Sequence, residues 1–323
     1  MNHSFLATTF GTRFPILNAP MAGAAGGQLA AAVSLAGGIG MVGVGANTSS
    51  DWIERELSLA AQSGRAWGVG VMAWSLQDRM ESLHQILEYK PSLVSVSFGD
   101  PVPALRAVRA SGATTAVQVG THEELRQALD YGVDIIVVRG AEGGGHGRND
   151  VGTLPLLQLA LEATSTPVLA AGGIATARGV AAALAAGAAG VWVGTRFTTA
   201  QESMMAGSFK ERIAAAGTDD TVYTRAFDVA QRLNWPPEYG GRAISNAFAD
   251  RWAGHEDDLA QQVRDDSAIT ERMRDARGNA EVDMAPVYAG QAAGLTGAGQ
   301  TAEQIMEDLA GYRDVLKAAT AWI

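Results

Sequence analysis

Before residue 200 the chain repeats one unit eight times: a short apolar run, a glycine or small-residue turn, then an Ala/Leu-rich amphipathic helix. The apolar runs fall at 15–19, 39–44, 66–72, 93–98, 114–119, 134–139, 167–171 and 190–195. Helical periodicity marks 28–35, 51–62, 77–89, 102–110, 122–131, 154–163 and 177–186 between them. Strands alternating with helices build βαβ units and therefore a parallel sheet. The runs are apolar nearly throughout instead of alternating, as in strands covered on both faces. Eight units over roughly 200–250 residues is the number that closes a (β/α)₈ (TIM) barrel. An open, doubly wound sheet is the alternative, because periodicity carries no information on closure.

The texture changes after Phe197. Residues 201–285 are rich in charge, show no clear strand and are interrupted by Trp235-Pro236-Pro237. They read as a helical subdomain inserted after the eighth strand. The glycine-rich stretch 288–299 reads as a loop returning to the barrel. Residues 302–322 read as a last helix, with Ile305, Leu309, Val315 and Leu316 on one face. The expected organisation is a barrel formed by 1–200 plus 286–323, with 201–285 as a helical lid over the substrate.

Composition narrows the function. Apolar residues make up 47% and charged residues 18% of the chain, a globular balance. The net charge of −10, with no basic run, argues against nucleic-acid binding. The absence of cysteine excludes disulfides, thiolate metal sites, iron–sulfur clusters and cysteine nucleophiles. The first fifteen residues lack the basic and apolar regions of a secretory signal, and no run is a convincing membrane span. A cytoplasmic enzyme with no membrane partner is the expectation, and a homodimer is compatible with it.

Several segments carry chemistry. Gly38-Ile39-Gly40-Met41-Val42-Gly43 satisfies GxGxxG, but it lies inside a strand, so it reads as a buried glycine-rich strand and not a dinucleotide fingerprint. Gly172-Gly173 and Gly194-Thr195 close the seventh and eighth barrel strands. Loops there commonly bind phosphate through backbone N–H groups and a short helix N-terminus. The run 140–148 (GAEGGGHGR) follows the sixth strand and aims one imidazole, His146, into the same rim. Histidine suits proton transfer near neutral pH. His3, His84, His122 and His255 lie at the terminus or on helices, where surface or capping roles are expected. Glu142 reads either as a residue orienting this loop or its imidazole, or as a solvated carboxylate. Asn18-Ala19-Pro20-Met21-Ala22-Gly23 follows the first strand with small residues against which a flat ring could lie. No metal-ligand spacing and no GxSxG serine are visible.

These segments together resemble the nitronate monooxygenases, formerly 2-nitropropane dioxygenases. The matching stretches are APMAGAAGGQLAAAVSLAGGIG at 19–40, SFGDP at 97–101, GAEGGGHG at 140–147, PVLAAGGIATARGVAAALAAGAAGVWVGTRF at 167–197 and AGQAAGL at 289–295. The resemblance implies an FMN-dependent TIM barrel that oxidises alkyl nitronates with O₂. It implies that Met21, Ala22 and Gly23 back the flavin, that Gln118 sits beside it, and that Gly145 approaches it. Gly172, Gly173, Gly194 and Thr195 would hold the FMN phosphate, and Gly290 and Gln291 would close over the cofactor. His146 would be the base acting on neutral nitroalkanes.

Two positions depart from the family. Its GVN-type segment after the third strand is here Gly68-Val69-Gly70, and its Glu-Ala-Gly-Gly-His is here Glu142-Gly143-Gly144-Gly145-His146. Related flavin barrels reduce quinones or enoyl thioesters with NAD(P)H, so that activity stands as the alternative. A flavin-free sugar-phosphate isomerase or lyase, or a phosphate-binding sensor, is the alternative of another class.

Overall fold

The computed structural model describes residues 5–322, so His3 lies outside the described residues. Among the described residues eleven strands are formed: β1 Ile16–Asn18, β2 Gly40–Gly43, β3 Trp67–Met72, β4 Leu93–Ser97, β5 Thr114–Val119, β6 Ile135–Arg139, β7 Gly145–Gly147, β8 Val168–Ala171, β9 Gly190–Val193, β10 Thr221–Thr224 and β11 Gly240–Ile244. Eight of them make one parallel sheet in the order β1-β9-β8-β6-β5-β4-β3-β2. Its two ends meet, so the sheet is a nearly closed barrel. The seam is short: Leu17 and Ile39 form a parallel bridge. The Asn18 side chain then continues the ladder, accepting from the Met41 N–H at 2.9 Å and donating to the Met41 carbonyl at 2.8 Å. A side-chain amide here does the work of a strand residue, because it carries both a donor and an acceptor.

The helices between strands start and stop on local signals. Helix His122–Tyr131 is typical: the Thr121 hydroxyl accepts from the Glu124 N–H, acidic side chains occupy the first turn, and Gly132 ends it in the left-handed region. Two hydrophobic layers result. Leu17, Met41, Leu93, Ile135, Val137, Leu169 and Trp192 fill the barrel, and Leu6 of the N-terminal helix joins them. Val42, Val69, Val94, Val117, Ile136 and Val191 face outward against the helices. Residues alternate between these two layers along each strand, which explains why the strands read as continuously apolar.

The strand and helix expectations before residue 200 hold with shifts of a few residues. The predicted helix at 77–89 begins at Met80, behind a 3₁₀ turn at Ala73–Leu76. The predicted last helix is two: Ala302–Ala310 lies near Gly27–Leu35, and Tyr312–Ala319 lies along Ala177–Ala186. They part at Gly311, where a Cβ would stand 3.4 Å from that of Ala177. Together they fill the place of the closing barrel helix.

The inserted segment is helical, but it is not free of strands as expected. β10 and β11 lie within it, and with β7 they form an antiparallel sheet in the order β10-β11-β7. At four and five residues, these strands are too short to show a period among so many charges. Phe227, Phe248, Trp252, Leu259, Val263 and Met273 give the insert its own core. Among the described residues no helix is long and apolar enough to cross a membrane.

Candidate active site at the C-terminal rim of the barrel

The C-terminal ends of the barrel strands bring the glycine-rich loops together. After β1, the Met21 carbonyl accepts from the N–H groups of Ala24 and Ala25 and so turns the chain. A Cβ at Gly194, just past β9, would stand 3.6 Å from Met21 Sδ, so the first and last barrel loops touch. Thr195 opens a one-turn helix, and its hydroxyl accepts from the Gly290 N–H at 3.0 Å. The Gln291 N–H donates to the Glu142 carbonyl at 2.9 Å. The return segment is thus stitched to the loops after β6 and β9. Gly172 and Gly173, past β8, have φ of +100° and +68°, and a Cβ at Gly173 would meet only Glu142, at 3.7 Å.

The loop after β6 is built around a buried guanidinium. Arg139, 4% exposed, ends the otherwise apolar β6. It donates to the carbonyls of Gly143, Gly144, Gly145 and Arg148. Burial first, and the Arg242 charge second, lower its pKa to about 10, which leaves it charged at neutral pH. Arg242 grips the loop from the insert, donating to the Ala141 carbonyl at 2.9 Å and the Asn149 side chain at 2.6 Å. Glu142 orients the loop and not the imidazole: its carboxylate accepts from the N–H and hydroxyl of Thr153 at 3.0 Å. Four carbonyls converging on one cation, three of them from consecutive glycines, need a flexible main chain, which the glycine run supplies.

His146 lies in β7, paired with Gly241 of β11, and so belongs to a strand and not to an open loop. Its Nε2 is 2.8 Å from Oδ1 of Asp228, which is carried by helix Ala226–Gln231 of the insert. Its ring stacks on Trp235 and lies 5.2 Å from the tilted ring of Tyr288. Trp235 in turn meets Trp74 and Phe98, and Phe98 meets Tyr239. Phe98 holds φ at +69°, uncommon for a bulky residue, and its carbonyl accepts from the Trp74 N–H. Burial, followed by the Asp228 charge, raises the Tyr288 hydroxyl well above the usual tyrosine pKa. Burial and Glu124 do the same to Tyr239.

Met21, Gly145, Gly172, Gly173, Gly194, Thr195, Gly290 and Gln291 therefore meet through contacts among their loops. Ala22 and Gly23 stand exposed at the tip of the first loop, and a Cβ at Gly23 or Gly145 would meet nothing within 4 Å. Open space above backbone at these points fits a flat ring lying on the rim. Gln118 is half-buried near the end of β5. Its N–H donates to the Ser97 hydroxyl, while its side chain bonds none of the others. Gly70 pairs within β3, and a Cβ there would stand 2.3 Å from Pro20 Cγ, so Pro20 occupies the room a side chain would need.

Sequence reasoning missed Arg139, Asp228, Trp235 and Tyr288 as site residues. Arg139 carried a signal, a lone charge ending an apolar strand. Trp235 was visible only as part of a chain break. Asp228 had no signal, being one acidic residue among many in the insert.

Known proteins resemble this chain over most of its length. A family model described as nitronate monooxygenase matches residues 65–311. The nitronate monooxygenase npaC of Metarhizium robertsii is 32% identical over 87% of this chain and 85% of its own. A Rhodococcus jostii protein named (3aS,4S,5R,7aS)-5-hydroxy-7a-methyl-1-oxo-octahydro-1H-indene-4-carboxyl-CoA dehydrogenase is 31% identical over 69% of this chain. The match spans 63% of that protein, less than two thirds of its length. Among solved structures, FabK from Thermotoga maritima superposes with a TM-score of 0.83 at 28% identity, covering 98% of both chains. A nitroalkane oxidase from Streptomyces ansochromogenes gives 0.82 at 27%, covering 98% and 99%.

Proposed function

Because this chain belongs to the nitronate monooxygenase family, and so is a flavin-dependent oxidoreductase acting on small molecules, we propose that it oxidises alkyl nitronates with O₂ to a carbonyl compound and nitrite. The flavin in this reading is FMN. Gly172, Gly173, Gly194 and Thr195 hold its phosphate, where the Thr195 hydroxyl, already accepting from Gly290, still has its proton to donate. Met21, Ala22 and Gly23 back the ring, Gln118 and Gly145 flank it, and Gly290 and Gln291 close over it. Bound there, the flavin supplies the electron and O₂ chemistry, while the protein supplies orientation and proton handling. Residues 201–285 cover the substrate.

The observation that carries the reading is the placing of His146. It is the histidine the insert and the glycine-lined rim hold between them, 11% exposed in its side chain. A neutral nitroalkane must lose its α-proton before oxidation, whereas a nitronate has already lost it. A positioned base contributes about 10²–10⁴-fold to such a step. The test begins with the absorbance spectrum of purified protein, followed by anaerobic mixing with a nitronate and, separately, with NADH and NADPH. At matched flavin content, His146→Ala should depress turnover of neutral nitroalkanes far more than of nitronates. Equal losses would remove the base assignment.

A second reading is NAD(P)H-dependent reduction of a quinone or enoyl thioester on the same barrel. It is favoured by Gly70, filled over by Pro20 where the family has an Asn, and by a relative named for a CoA ester. Bleaching by NAD(P)H with no turnover of nitronates would select it.

A further inference from the structure

The insert delivers one carboxylate to the site, and stability alone does not explain it. Asp228 sits 82 positions beyond His146, with its side chain 5% exposed. One oxygen bonds His146 Nε2 at 2.8 Å, and the buried Tyr288 hydroxyl is the neutral donor beside the same carboxylate. No lysine or arginine among the described residues pairs with it. A buried carboxylate without a lysine or arginine partner is costly, so a group of this kind calls for a functional account. Its helix is anchored on both sides, with Ala226, Phe227 and Ala230 in the core of the insert. The Thr224 hydroxyl also accepts from the Ala226 N–H at 3.0 Å.

We propose that Asp228 is the positioning residue of His146, fixing the imidazole with its proton on Nε2 and leaving Nδ1 as the nitrogen that takes the α-proton of a neutral nitroalkane. The inference rests on the reading of His146 as a base. A carboxylate can only accept, so the Nε2 that faces it at 2.8 Å must be the donor. No hydrogen bond engages Nδ1 among the described residues, and its lone pair is free. In the step, the substrate C–H bond breaks and an N–H bond forms on Nδ1. The electron pair stays on the substrate as the nitronate, and Asp228 takes no proton but faces the new imidazolium. The other groups around the ring are Tyr288, tilted at 5.2 Å, and Trp235 on its face. The Arg139 guanidinium is bound to the Gly145 carbonyl. Tyr288 stays neutral beside the carboxylate, because burial and Asp228 raise its pKa. Asp228 is therefore the anion that stabilises a charged His146.

The test has a spectroscopic and a kinetic arm, both on the flavin-loaded full chain. Two-bond ¹H–¹⁵N spectra of histidine-labelled protein, with His146 assigned through His146→Gln, report the tautomer directly. The expected result is a neutral ring protonated on Nε2 in the unmodified protein. A proton on Nδ1 overturns the proposal. This reading needs no variant, so a poorly folding Asp228→Asn does not block it. In the kinetic arm, Asp228→Asn should lower kcat/KM for neutral nitroalkanes by roughly 10²-fold and leave nitronates within about 2-fold, with Asp228→Glu recovering part of the loss. A merely structural tie would slow both forms alike, which overturns the proposal. If His146→Ala treats both forms alike, the base reading fails, while the tautomer spectrum still decides whether Asp228 sets the ring.

Discussion

The indole of Trp235 lies flat on the imidazole of His146, with ring centroids 3.8 Å apart and planes 3° from parallel. Trp235 comes from the insert and is wedged by Trp74 and Phe98, which follow β3 and β4. The imidazole is thus clamped on one face by an indole and at Nε2 by Asp228. Both come from a segment that begins beyond the eighth barrel strand. A stacked indole also favours a charged ring through its π face, so both contacts act in the same direction when His146 gains a proton.

Arg139→Met should loosen the loop that carries this ring. Four carbonyls lose their donor in a buried place, and unmet acceptors cost more than the bonds they made. A loss of about 2–4 kcal/mol is expected, read as a lower urea midpoint. Amide exchange at 140–148 should rise more than elsewhere in the barrel.

Gly173→Val tests the phosphate assignment. Gly173 sits at φ +68° with open space beside it, so the side chain adds strain and closes the approach of an anion. FMN retention after dialysis should weaken at least about tenfold, equivalent to ~1.4 kcal/mol. Undiminished affinity would mean that the phosphate sits elsewhere.

Gly70→Asn, which restores the residue usual in the family, should not be tolerated silently. Its Cβ would stand 2.3 Å from Pro20 Cγ, and crowding of this kind costs about 1–3 kcal/mol. The thermal midpoint should fall. The double change Pro20→Ala with Gly70→Asn should recover stability beyond the sum of its parts.

Alkaline stability follows from the raised tyrosines. Tyr239 and Tyr288 keep their protons in the folded chain to higher pH than in the unfolded one. Their contribution is complete below the unfolded tyrosine value of about 10 and is lost as pH rises above it. Arg139 works in the opposite sense, because its value of about 10 leaves the unfolded chain binding the extra proton above that pH. The share of stability that the two tyrosines contribute therefore falls above about pH 10. Tyr288→Phe should flatten that fall in urea midpoints measured across the range, and an unchanged slope would contradict the assignment.

The repeating strands and helices, and with them a parallel sheet, were legible in the sequence. Strand and helix periods, the Thr121 cap and the glycine stops are local signals, and eight units point to a barrel, while closure itself leaves no periodic trace. The sequence also determined which strand ends carry glycine loops, and hence placed Gly172, Gly173, Gly194, Thr195 and His146 on one rim. It did not show that β1 and β2 meet through the Asn18 side chain, since a single amide across a seam leaves no periodic trace. Nor did it show β10 and β11, whose four and five residues gain strand character only by pairing, β10 with β11 and β11 with Gly145–Gly147. The bonds of His146 to Asp228 and of Arg139 to the glycine carbonyls were decided by tertiary structure alone. Each depends on a charge whose partner is chosen by where two distant segments pack. A carboxylate in a charged helix looks the same in sequence whether it faces water or, as Asp228 does, an imidazole 82 residues away.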